Sequence, residues 1–322
     1  MSGHASDYVP AVKYGNKWFP EDIAGIVGLP YVSNVIYVDP ANGNDTANNG
    51  TSFNDALATV SAAFDAATAN QHDVVLIAPS GGTGRATETS AITWNKRFTH
   101  LVGNAAPTAQ DARAGISFGT GGSLTVSENG CLFKTLTLTG TADINVPVTI
   151  TGSYNSFLGV DFKGSLNSDS GDDTASRALY INGGQENFFG GCTFGADTFM
   201  RSAANATIEF ASAASRNQFD GCEFVMAADA ETPVHILLTG TSAIDRWLKF
   251  NNCTWYAFYT NHSAKVNAVI NASAQTATGD IIMSGTQVSV GFDDWEAVAS
   301  NIVWFQPWTA TANAIGLGVN NA

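Results

Sequence analysis

Between Asn155 and Val288 the chain repeats one six-residue phrase five times, and this repetition limits the fold more than any other feature. The copies begin at Phe157, Phe189, Phe219, Phe250 and Met283. Read from the fourth position, successive copies lie 32, 30, 31 and 33 residues apart. A period of about 20 to 50 residues marks stacked units that bury a core only through their neighbours. The first position of each copy is large and apolar. The third is Gly159, Gly191, Gly221, Asn252 or Gly285, residues that enter the left-handed backbone region at low cost. The fourth, Val160, Cys192, Cys222, Cys253 and Thr286, reads as an inward-facing core column. The fifth is polar throughout: Asp161, Thr193, Glu223, Thr254 and Gln287. Each copy is therefore a half-buried strand of period two entered through a sharp bend. The bend residues, with the β-branched and aromatic residues around them, exclude a helical repeat. One bend and one strand per unit in constant register predict an all-β parallel solenoid with like residues stacked in columns.

Cys192, Cys222 and Cys253 share the core column, where free cysteine packs as a small hydrophobe. No CxxC pair or neighbouring histidine marks a metal site, and strand neighbours facing one way rarely reach disulfide torsions. Reduced thiols are expected, with Cys131 a separate core residue. Asn155, Asn187 and Asn217 lie two residues before the first Phe of their copies and predict a ladder of hydrogen bonds between rungs. The five histidines are dispersed, and Asn42, Asn44 and Asp45 lack EF-hand spacing, so neither a metal nor a cofactor is expected.

The 322 residues could hold two ordinary domains, but one long solenoid fits the period better. A net charge of −14 argues against nucleic acid as a partner. No apolar run reaches membrane-spanning length, and the start of the chain has no basic segment followed by an apolar stretch, so neither a membrane span nor a signal peptide is expected.

Ahead of the repeats, Val35 to Asp39 reads as a strand, followed by a turn-rich Gly43-Asn44-Asp45 segment running to Gly50. Ser52 with Asp55 resembles a capping box. Phe53, Ala56, Leu57, Val60, Ala63, Phe64 and Ala67 continue at helical spacing, which predicts a helix over 53–69 covering the open first coil. Strands are expected at 73–79 and 97–103. This order, from the Tyr37-Val-Asp39 strand through the Asn49-Gly50-Thr51 loop to the Val74 to Pro79 strand, resembles the start of the pectin-lyase-like right-handed parallel β-helix superfamily. The resemblance covers roughly residues 35 to 290. It implies a right-handed, single-stranded β-helix, and the superfamily includes polysaccharide lyases and hydrolases as well as non-catalytic phage tailspike and capsid-surface proteins. Fold alone does not choose among these.

For glycoside hydrolysis two carboxylates must lie within about 5 to 9.5 Å. Asp161 and Glu223 share the fifth-position column two rungs apart, about 10 Å by strand spacing. If the chain is an enzyme, Asp172, Asp173, Asp220 and Glu223 are the candidates: a loop pair, a bend residue and an outward strand residue. Lyases of the superfamily resemble one another in a calcium-binding Asp cluster beside a catalytic Arg or Lys. Here the basic residues recur in no column next to such a cluster, and no catalytic residue is assigned.

Residues 1–34, with Tyr8, Tyr14, Trp18 and Phe19, read as an extended aromatic arm. Aromatics of this kind make good interface anchors. Residues 291–322, with Trp295, Trp304 and Trp308, read as a C-terminal cap or oligomerisation segment, and Ile315 to Val319 as a final strand. The resulting expectation is a non-enzymatic structural protein resembling phage β-helix decoration or head-spike proteins, assembled in the host cytoplasm and displayed on the virion surface. Its arm would dock on capsid or other virion proteins, and three copies would associate. The alternatives are a tailspike-type polysaccharide depolymerase, and a host-glycan-binding module stacking sugars on Trp255, Tyr256 and Tyr259.

Overall fold

The short extended segments predicted between bends pair in parallel along most of the chain. The computed structural model describes residues 20–79, 85–260, 264–297 and 302–305. Strands from successive coils form two stacks. The longer runs Val35–Val38, Val74–Ile77, His100–Gly103, Leu132–Gly140 and Ser156–Ser165, then through the repeat copies to Val303–Phe305. The second runs from Ala91–Trp94 through Arg177–Asn182 and Ala206–Ala211 to Phe292–Glu296. The chain is a parallel β-solenoid.

The repeat stacks in register. Phe157 pairs with Phe189, Phe189 with Phe219, and Phe219 with Phe250. Their rings stack at centroid separations of 4.8, 4.5 and 4.7 Å. A second ladder, Phe162, Phe194, Phe224 and Trp255, stacks beside it at 5.1, 5.1 and 3.9 Å. All are fully buried in one continuous core. Gly159, Gly191, Gly221, Asn252 and Gly285 all have positive φ, between 52° and 66°. At Gly159, Gly191 and Gly221 an added Cβ would meet nothing, so backbone conformation and not crowding selects glycine there.

Cys192, Cys222 and Cys253 are buried free thiols that point Sγ at the carbonyls of Phe157, Phe189 and Phe219 on the preceding coil. Burial and the hydrogen-bonding contact with Cys192 push the Cys222 thiol up, and the contact with Cys222 together with burial does the same to Cys253. The asparagine ladder forms as expected. Asn187 Oδ1 accepts from Asn155 N, and Asn217 Oδ1 from Asn187 N, both at 2.9 Å, while Asn187 Nδ2 donates to the Gly152 carbonyl.

Four expectations need correction. Thr286 does not join the core column. Met283 pairs with Phe250 but Val288 pairs with Thr254, so the last copy holds one extra residue and Thr286 is exposed. Gln287 takes the column place and donates Nε2 to the Phe250 carbonyl of the preceding coil, the contact each cysteine makes one coil back.

The helix over 53–69 is split. Phe53–Asp55 is a single 3-10 turn without a side-chain cap from Ser52. The backbone of Leu57 then bonds to Tyr37 and Asp39 as ladder to the first strand, which helical geometry forbids. The α-helix occupies Val60–Ala66, with Thr59 accepting from Ala62 N. Glu88 accepts from Val60 N and Ser61 N, a cap supplied by a distant strand. The helix buries Val60, Ala63 and Phe64 in the core against Trp94 of the first strand of the second stack.

The N-terminal arm is not extended throughout. Pro20–Val27 is a helix whose Ile23, Ala24 and Val27 pack with Tyr37, Leu76 and Val102 on the outside of the long sheet. Tyr8, Tyr14, Trp18 and Phe19 lie outside the described residues, as do Trp308 and the expected strand at Ile315 to Val319. Solenoid pairing also passes residue 290, because Phe292–Glu296 and Val303–Phe305 extend the two stacks. Trp295 packs edge-on against Trp255 and Phe305 inside this last coil, and Trp304 faces outward with Nε1 donating to Asp280.

Candidate functional site

The outward column next to the bends runs Thr137, Asp161, Thr193, Glu223, Thr254 and Val288. Period-two alternation directs these side chains away from the core, so solvent exposure was expected of all the polar members. Asp161 and Thr193 are instead only 3% exposed each, because the connection over 104–113 folds across them as a strap. Thr193 Oγ1 donates to the Ala109 carbonyl at 2.5 Å, and Asp161 Oδ2 accepts from Asp111 N at 2.8 Å.

Charge converges on this strap. Asp111 pairs with Arg85, with Lys163 at 3.1 Å and with Arg113 at 3.5 Å, while Lys163 Nζ lies 3.9 Å from Asp161. Burial pushes the Asp161 carboxyl up to about 6, against the pull of the Asp111 N–H and the Lys163 charge. For Asp111 burial works in the same direction, but the hydrogen bond from Lys163 and the Arg85 charge outweigh it and hold the carboxyl below its ordinary value. Asp161 Oδ1 and Thr137 Oγ1 are buried without a hydrogen-bond partner among the described residues. A carboxyl near 6 between a carboxylate and an ammonium is suited to proton transfer near neutral pH. With the strap in place, however, no extended substrate reaches it.

The four sequence-derived candidates are not brought together. Asp172 ends the one-turn helix Ser168–Gly171 and accepts from Ser202 Oγ. Asp173 accepts from Ala175 N and Asn145 Nδ2, and those bonds hold its pKa down. Asp220, ahead of the bend, accepts from Asn251 Nδ2 at 2.8 Å. Glu223, past the bend, is exposed on the open part of the outward column. Trp255 cannot stack on a sugar because it is fully buried, which leaves Tyr256 exposed beside a half-buried Tyr259 that donates its hydroxyl to the Asp229 carbonyl.

Sequence reading set Asp161 in the outward column but did not bring Lys163 to it, and it missed Arg85, Asp111 and Arg113. Those residues lie 48 or more positions ahead in irregular connections, and no periodicity points from them to the repeat.

No family model matches this chain, and no curated protein matches it. Solved structures do. A crystal structure of pectate lyase Pel9A aligns with a TM-score of 0.50 at 17% identity, over 79% of this chain and 63% of the lyase. The chain thus spans less than two thirds of that enzyme's length. Pectin methylesterase PemA from Erwinia chrysanthemi aligns with a TM-score of 0.51 at 14% identity, over 85% of this chain and 93% of PemA. ORF18 of Geobacillus virus E2 aligns with a TM-score of 0.33 at 14% identity, over 84% of this chain and 61% of ORF18.

Proposed function

We infer that a fold of this kind, the parallel β-helix found in a pectate lyase and in pectin methylesterases, suits either a polysaccharide-acting protein or a structural one. We propose that this chain is a non-enzymatic structural protein of a virus particle, a decoration or head-spike component whose solenoid projects from the surface. Its N-terminal residues dock on capsid or other virion proteins, and three copies associate. The observation that carries the reading is the dispersal of the candidate carboxylates. Asp172, Asp173 and Asp220 are each engaged by a local hydrogen bond, and Glu223 stands alone on the open column. Mass spectrometry of purified particles tests it: a fixed copy number per capsid is expected, and absence from washed particles would refute it.

One observation favours a second reading, a tailspike-type polysaccharide hydrolase or lyase. Asp161, with its carboxyl near 6 beside Asp111 and Lys163, has the protonation chemistry of an acid–base group once the strap lifts. Release of reducing ends or unsaturated products from a bacterial surface polysaccharide, abolished in Asp161→Asn, would establish that activity in place of the structural role.

A further inference from the structure

On six successive coils the ridge where the chain turns into the long sheet carries one residue in the same backbone state. His72, Phe98, Gly130, Tyr154, Glu186 and Arg216 each precede by two residues a paired position of the sheet: Val74, His100, Leu132, Ser156, Phe188 and Gln218. Their φ values are 57°, 54°, 72°, 60°, 55° and 59°. The backbone explains this conformation. Phe98 N donates to the Asn129 carbonyl, Tyr154 N to that of Gln185, Glu186 N to that of Ser215, and Arg216 N to that of Trp247, each on the next coil. Nothing in that bonding asks for a large side chain. Glycine is the residue such a position favours, and Gly130 supplies it on one coil.

The side chains nevertheless form an aromatic stripe. Tyr31 meets His72 edge-on at 4.9 Å, and His72 stacks on Phe98 at 5.1 Å. Phe98 lies over Gly130, where an added Cβ would strike its ring at 2.3 Å. Tyr154 follows on the next coil. Tyr31 is 52% exposed, Phe98 36% and Tyr154 59%. Bulky rings held in an unfavoured backbone state and turned to solvent are outliers of the kind that mark functional surfaces.

We propose that this ridge binds an uncharged polysaccharide, lying along the solenoid axis with its sugar faces stacked on Phe98 and Tyr154. Two observations select that ligand. Phe98 and Tyr154 stand two coils apart with Gly130 between them, about 9.6 Å by strand spacing, a span comparable with two pyranose units of an extended glycan. The charges flanking the stripe are balanced, Arg97 against Glu128 at 3.4 Å and Arg216 against Glu186 at 2.8 Å, on a chain whose net charge of −14 repels polyanions. The Glu186–Arg216 pair, next along the ridge from Tyr154, supplies donors and acceptors for hydroxyl groups. This surface is separate from the strap and does not depend on the particle role.

Affinity electrophoresis of the full chain in gels of dextran, mixed-linkage β-glucan, galactomannan and, as the polyanion, alginate tests the proposal. Retardation by at least one neutral gel is expected, unchanged by added salt. Tyr154→Gly and Phe98→Gly should each weaken it by about tenfold, as expected for loss of one stacked ring. Because glycine relaxes the left-handed backbone, both variants should melt at or above the wild-type temperature, so lost binding is not lost fold. No retardation in any neutral gel, retardation by alginate alone, or full retardation of the double variant would overturn the proposal. So would a double variant that binds no glycan differently but no longer stays on purified particles, which would make the ridge a protein contact.

Discussion

The inner and outer faces of the same strands obey different rules. Inside, Phe157, Phe189, Phe219 and Phe250 repeat one residue type in one register, and each coil meets its neighbours through identical contacts. Outside, Asp161, Thr193, Glu223 and Thr254 share a column but not an environment, since the strap over 104–113 buries the first two and leaves Glu223 open. Stacking energy acts between neighbouring coils and rewards repetition. Coverage by a connection from elsewhere in the chain has no such period, so the departures from repetition are where the buried and paired charges gather.

Breaking the inner face should have the largest effect. Phe189→Ala removes a ring stacked between Phe157 and Phe219 and edge-on to Phe194. It should cost about 3–5 kcal/mol in urea unfolding. A loss below about 1 kcal/mol would mean that the ladder does not hold the coils.

The outer face should show itself through pH. The folded pKa of Asp161, about 6, lies above its unfolded value of about 3.9. The folded state therefore binds the proton more tightly. The resulting stability is complete below about pH 4, declines as pH rises towards 6, and is gone above it, a change of about 3 kcal/mol. Stability curves for wild type and Asp161→Asn should diverge over that window, with the variant flat. Parallel curves would show that the strap does not bury this carboxyl.

Asn187→Ala, back in the interior, strips an acceptor from Asn155 N and a donor from the Gly152 carbonyl. About 2 kcal/mol should be lost, while Gln218→Ala, half-buried on the next coil, serves as a control within about 0.5 kcal/mol of wild type.

The smallest energetic effect tests the register break. Thr286→Cys should change stability by less than about 0.5 kcal/mol and react rapidly with a thiol reagent, while Cys192, Cys222 and Cys253 resist it in the folded state. A protected thiol at 286 would restore the fourth-position column as the sequence pattern draws it.

What could be read ahead of the structure follows from these rules. The bends, the first-position phenylalanine column, the thiol column and the asparagine ladder each recur at least three times, so chance and local exception average out. Single events were misread. Leu57 has the spacing of a helix residue, yet its backbone is claimed by Tyr37 and Asp39. Thr286 occupies the fourth place by count, but one inserted residue hands that place to Gln287. The N-terminal helix Pro20–Val27 lacks a long apolar period and is defined by the sheet it covers. Of the candidate site only Asp161 was visible, as a member of the outward column. Arg85, Asp111 and Arg113 reach it through irregular connections that carry no pattern of their own.

By itself, then, the sequence determined that the chain coils, where each coil bends, and which side chains line the core, because those features rest on contacts between equivalent positions one period apart. Only the tertiary structure decided which outward residues are buried, which carboxyl is driven towards neutrality, and that a row of left-handed turn residues lines up as an exposed aromatic ridge. Those outcomes depend on contacts between non-equivalent positions and on the path of connections, and the repeat carries no information about either.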